Sequence, residues 1–168
     1  MMETQTTQSK YPTRSKKKYL KKNLLNENEI AFYEKLKKGL KGLQVFPQVS
    51  MNGVLNVANQ KGFNDRIPFA SKIIDFVVCT PSYQILAMVE LDGPSHDSPE
   101  EKEKDNKRDT MLKDAGYLVI RYDWRNEITE IQLNQDFKKI INAWNVLKLQ
   151  EEAKRKEKAI LRALAEVE

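Results

Sequence analysis

The chain has 168 residues, 40% of them hydrophobic and 32% charged, with a formal net charge of +5. That length supports one domain with one core plus polar tails, and the high charged share concentrates the core in the middle of the chain. No apolar run is long enough to cross a bilayer, the polar and basic start lacks the form of a signal peptide, and the single Cys79 excludes an internal disulfide framework. This fits a reducing, cytoplasmic setting, with Cys79 as a small buried hydrophobe.

Residues 1–23 read as a disordered basic arm. It carries Lys10, Arg14, Lys16, Lys17, Lys18, Lys21 and Lys22, interleaved with Tyr11 and Tyr19. Cations with aromatic rings between them suit the phosphates and bases of a nucleic acid, although a solvated tail accounts for the composition equally well. A helix starts near Asn26. Asn26 and Glu29 have capping-box spacing, ahead of a stripe of Phe32, Tyr33, Leu36, Leu40 and Leu43. A first strand over 44–49 contains Pro47, which places it at a sheet edge or forces a local irregularity. Residues 51–68 are polar and Asn/Gly-rich, a long loop with room for a short extra turn.

The two clearest strands span 72–79 and 84–91, joined by Thr80-Pro81-Ser82-Tyr83 as a hairpin. With Cys79 opposite Gln84, Asp75 faces Met88 and lies diagonal to Glu90, about 7–8 Å away. Alternation then puts Asp75, Glu90 and Asp92 on one face. Ser98-Pro99-Glu100 has the form of a helix start, and Gly116 ends that helix. Its short apolar face, continued backward, carries Lys104, Lys107 and Arg108 toward the acidic strand ends. Residues 117–122 form a fourth strand. A helix over 135–149 follows, with Phe137, Ile140, Ile141, Trp144 and Leu147 as its buried stripe. Residues 24–149 make the domain, and 150–168 continue as a charged helix with a thin seam of Ala159, Ile160, Ala163 and Leu164. That seam docks on the domain, pairs with a second copy or partner protein, or does neither. The plan is α/β: a small mixed four-stranded sheet flanked by helices.

An ionised carboxylate in an apolar strand is costly unless it is paired. Clustered Asp75, Glu90 and Asp92, with one histidine and one cysteine in the chain, favour a hard oxygen-ligated ion, Mg²⁺ or Mn²⁺, over zinc. His96, past the Gly93-Pro94 turn, is suited to general acid–base work or to a phosphate contact.

Asp75, the Glu90-Leu91-Asp92-Gly93 block, Ser95-His96, Arg108-Asp109, Ala115-Gly116-Tyr117 and Arg121 resemble the PD-(D/E)XK restriction-endonuclease-like superfamily. Within it they are most similar to the branch of very-short-patch repair endonucleases. The likeness is greatest to an uncharacterised bacterial family with the pattern Leu-x-x-x-Glu-x-x-Phe, Asp-Phe, Glu-Leu-Asp-x-x-Ser-His, Arg-Asp and Ala-Gly. It covers roughly residues 25–124. The resemblance implies a restriction-endonuclease-like core, Asp75 as principal metal ligand, Glu90 as second ligand, Glu29 as auxiliary acid and His96 beside the scissile phosphate. The usual Glu-x-Lys lysine is replaced here by Asp92. Lys107, Lys104 or Arg108 then supplies the missing cation, or His96 takes its role.

Other roles stand beside these. Asp92 either caps the turn into Gly93 or binds the ion. Glu29 belongs to the capping box, to the site, or to both. Asp109 orders Arg108 or His96. Lys107, Arg108 and Arg121 serve as surface charge, as catalytic cations or as DNA contacts. The expected function is a Mg²⁺- or Mn²⁺-dependent DNA endonuclease with DNA as its partner. The alternatives are a reduced domain of the same fold that binds without cutting, and an assembly module acting through the C-terminal helix.

Overall fold

The structure is a computed structural model that describes residues 18–59, 61–93 and 98–165. Helix α1 spans Glu27–Gly39, and strand β1 spans Gln44–Ser50. One-turn 3-10 helices at Met51–Gly53 and Phe63–Arg66 lead into the short helix α2, Ile67–Ala70. Then come β2 (Ile73–Cys79), β3 (Ile85–Asp92), α3 (Pro99–Asp114), β4 (Val119–Asp123) and α4 (Glu130–Ala165). The sheet order is β1-β2-β3-β4. The first two pairings are antiparallel and β3 with β4 is parallel, so the sheet is mixed. Pro47 sits in β1, at an edge, where a missing N–H is tolerated.

Alternating strand residues divide the core between the two faces of the sheet. Phe76, Val78, Ala87, Val89 and Leu91 pack against α1 (Phe32, Leu36) and α4 (Leu133, Phe137). Val77, Cys79 and Met88 pack against Leu112 of α3 and Met51, Leu55 and Phe69 of the 51–70 segment. The segment read as a loop therefore carries three of the eight buried residues of one hydrophobic layer. Cys79 is buried and free, and burial raises its thiol pKa. Among the described residues no helix is long and apolar enough to cross a membrane.

The N-terminal cap of α1 is as its sequence predicts. Asn26 Oδ1 accepts from the Glu29 N–H at 3.0 Å, and Glu29 Oε2 accepts from the Asn26 N–H at 2.7 Å. Asn26→Ala removes one of these bonds and is expected to cost about 1 kcal/mol in a denaturant melt. Gly116, at φ +85°, ends α3, with the Tyr117 N–H bonded to the Leu112 carbonyl at 2.9 Å. Helix α4 begins five residues before the predicted 135 and runs unbroken past 149. At 36 residues it is about 54 Å long, and Val146, Leu149, Ile160 and Leu161 along it are exposed.

The hairpin register differs from the expected one. Cys79 pairs with Ile85, and a bulge between Val78 and Cys79 moves the next pair to Val78–Ala87. The longer turn, which holds Tyr83 at φ +62°, and the bulge each add one residue. Together they shift the register by two, which preserves the face each side chain occupies. Val77 thus pairs with Met88 and Phe76 with Val89. Continued by one residue, this sets Asp75 directly opposite Glu90, not opposite Met88.

Candidate metal and phosphate site

Glu90 lies in β3 between two apolar neighbours, and its side chain is 2% exposed. Arg108 of α3 places Nη2 2.9 Å from Glu90 Oε2. Glu90 Oε1 has no hydrogen-bond partner, and neither Arg108 Nε nor Nη2 makes an aligned hydrogen bond. The contact is therefore an ion pair and not a fork-to-fork bidentate bond. Burial pushes the Glu90 carboxyl up to about 8. Arg108 pulls it down less than burial raises it, and Asp75 raises it further. A carboxylate buried with one orphaned oxygen beside a second acid is what a hard cation would satisfy.

Asp75 is half-buried in β2, and its Oδ2 accepts the Leu91 N–H at 2.9 Å. That bond fixes it against the strand that bears Glu90. Gln48, at φ +53° in β1, donates from Nε2 to Glu29 Oε1 at 3.3 Å. Continued by one residue, the Pro47–Phe76 pairing sets Gln48 opposite Asp75. Glu29 therefore serves the cap and also reaches toward the site through Gln48.

The expected stripe of α3 is corrected. Its inward face is Asp105, Arg108, Asp109 and Leu112, at intervals of three, one and three residues. Lys107 points elsewhere, with Nζ 2.7 Å from Glu103 and 70% of its side chain exposed, so it is not the cation beside Glu90. Lys107 and Lys104 instead line a groove with Lys72 and Met111. Arg108 is 3.2 Å from Asp105 as well as paired to Glu90, and only 13% exposed. Of the three cations expected to point towards the acidic strand ends, Arg108 is the one placed beside Glu90.

Arg121 is also held among acids. Its Nη1 is 2.6 Å from Asp92 Oδ1 and 3.5 Å from Asp105. Its Nη2 and Nε meet the two oxygens of the buried Asp109 at 2.9 and 3.3 Å. Burial alone would lower the Arg121 pKa, but the hydrogen bond to Asp109 and the charges of Asp109, Asp92 and Asp105 hold it above its ordinary value. Asp92 is thus tied to β4 and not gathered with Asp75 and Glu90. Asp109 orders Arg121, where Arg108 or His96 was expected. Among the described residues no group of three or more His, Cys, Asp and Glu side chains is placed to enclose a metal. His96, Lys16 and Lys17 lie outside the described residues; Lys18, Lys21 and Lys22 are exposed.

Sequence reasoning missed Asp105, Gln48 and Trp124. The helical spacing of Asp105, Arg108, Asp109 and Leu112 was the available signal for the first. Trp124 closes over Gly93, where a Cβ would fall 2.2 Å from Trp124 Nε1. Gly93→Ala is expected to displace the indole and destabilise by about 1–3 kcal/mol, read from the change in tryptophan fluorescence and melting temperature. A cleft of about 360 Å³, lined by Asp92, Gly93, Lys102, Asp105, Arg121 and Arg125, opens beside these acids. A larger groove of about 800 Å³ lies between the start of β3 (Ile85, Leu86), Tyr117, Leu118 and α4 (Trp144, Leu147).

An uncharacterized protein of Haemophilus influenzae is 37% identical over 70 residues, which are 42% of this chain and 54% of that relative. The match thus spans about half the length of that protein. No solved structure matches the chain. The family described as protein of unknown function DUF2726 matches residues 21–140, which hold every element from α1 to β4 and the first turns of α4. The chain belongs to the DUF2726 family.

Proposed function

We propose that this chain is a divalent-metal-dependent DNA endonuclease with a PD-(D/E)XK-type, restriction-endonuclease-like core. The observation that carries this reading is Glu90 of β3: 2% exposed, with Oε1 unpartnered, opposite Asp75 of β2. Asp75 and Glu90 would hold Mg²⁺ or Mn²⁺. Such an ion supplies polarisation of a phosphoryl oxygen and a lowered pKa for an attacking water. The chain's own residues supply the rest. Leu91 N–H orients Asp75, Arg108 orients Glu90, and Glu29 and Gln48 brace the far side. His96, as acid or base, and the exposed Lys18, Lys21 and Lys22, as phosphate contacts, complete the reading.

A second reading is a domain that binds DNA without cutting it. It is favoured by Arg108 standing on Glu90 and by Arg121 holding Asp92, where the usual site has a lysine. The test is nicking and cutting of supercoiled, linear, mismatched and branched DNA with Mg²⁺ or Mn²⁺. Metal-dependent products lost in Asp75→Ala support the nuclease. DNA binding by a folded protein that cuts none of these substrates supports the second reading.

A further inference from the structure

We infer that the groove between α2 and the outer face of α3 binds a nucleoside monophosphate, either free or at the end of a nucleic-acid strand. Its volume is about 590 Å³, inside the range of about 300–1,000 Å³ that holds small ligands. One wall is Pro68 of α2 with Lys72, whose N–H donates to the Phe69 carbonyl and whose carbonyl accepts from the Met51 N–H, both at 3.0 Å. The other wall is the α3 stripe of Lys104, Lys107 and Met111, at helical spacing. Among the described residues the half-buried Lys72 ammonium meets no carboxylate. A bound anion would offset the cost of burying it.

Against three lysines the lining holds one acid, Glu103, in an exposed pair with Lys107 that contributes little. That balance suits a phosphomonoester, which carries about two negative charges at neutral pH. Beside the cations, Pro68 and Met111 supply apolar surface, and a thioether packs well on an aromatic ring such as a nucleobase. Asn106 and Thr110 line the same groove. The Thr110 hydroxyl donates to the Asn106 carbonyl at 2.7 Å, which leaves its oxygen to accept from a base edge. An acyl chain would leave these polar groups unmatched. Neither Asp75 nor Glu90 lines this groove, so the inference stands whether or not the chain cuts DNA.

Calorimetric titration of the full chain, in chelator, with thymidine and adenosine 5′-monophosphates tests it. One nucleotide per chain is expected, with the matching nucleoside and inorganic phosphate each bound at least about tenfold more weakly, because each lacks half of the contacts. Lys72→Gln and Lys107→Gln are each expected to weaken nucleotide binding by about tenfold with unchanged circular dichroism. Lys38→Gln, on α1, leaves it unchanged. A 5′-phosphorylated tetranucleotide that binds as tightly as the free nucleotide, and more tightly than its unphosphorylated form, assigns the pocket to a strand end. Binding of the free nucleotides alone assigns it to a soluble ligand. No binding of either nucleotide, inorganic phosphate bound as tightly as both, or full affinity in both lysine variants overturns the inference.

Discussion

Asp75→Asn and Glu90→Gln are each expected to lower metal-dependent DNA cleavage by about 10³-fold or more while leaving the fold intact. A metal that polarises a phosphoryl oxygen provides several kcal/mol of transition-state stabilisation, and each 1.4 kcal/mol is about a factor of ten in rate. Both substitutions keep the shape of the side chain. In Asp75→Asn the side-chain amide still offers a carbonyl oxygen to the Leu91 N–H that Asp75 holds at 2.9 Å, so the strand pairing is retained. What is lost is negative charge where a cation would sit. Initial cleavage rates, with far-ultraviolet circular dichroism as the control for folding, measure the effect. Cleavage within threefold of wild type in both variants contradicts the assignment.

Glu90 also sets a pH dependence of stability. Its carboxyl is raised from 4.5 to about 8 in the folded protein, chiefly by burial and then by Asp75, against the pull of Arg108. The folded state therefore holds a proton that the unfolded chain has already released. The contribution of the protonated group is complete below pH about 4.5 and is lost as pH rises toward 8. Metal-free protein should lose stability across that window, by on the order of 1 kcal/mol per pH unit from this group. Glu90→Gln cannot ionise, so it should melt higher than wild type in the presence of a chelator, by a margin that grows from pH 5 to pH 8. Breaking a buried ion pair normally destabilises. Here the raised carboxyl and its orphaned oxygen make the neutral isostere the better occupant when no cation is present. An equal melting-temperature difference at both ends of the window would show that Glu90 titrates normally.

Much of this arrangement was legible in the sequence because it depends on period and local caps. The capping box at Asn26, the edge position of Pro47, the αL end of α3 at Gly116 and the four strands all follow from short-range rules. The shared face of Asp75 and Glu90 was also legible, since a two-residue register shift keeps every side chain on its face. The shift itself was not, because neither the longer turn at Tyr83 nor the bulge between Val78 and Cys79 leaves a composition signal. The inward face of α3 was misread for a different reason. Apolar residues mark a stripe, but this one continues from Leu112 through Asp109, paired with Arg121, and through Arg108 and Asp105, paired with each other. Charge partners across α3, β3 and β4 decide which cation turns inward. Those partners meet only after the sheet has formed.

Asp75 and Glu90 as the seat of a divalent cation is the claim on which the proposed activity depends. Calorimetric titration of the full chain with Mn²⁺, alone and with duplex DNA present, tests it directly. One ion per chain, lost in Asp75→Asn and in Glu90→Gln, is the predicted result. Equal Mn²⁺ binding by both variants, or no binding by wild type with or without DNA, would contradict it.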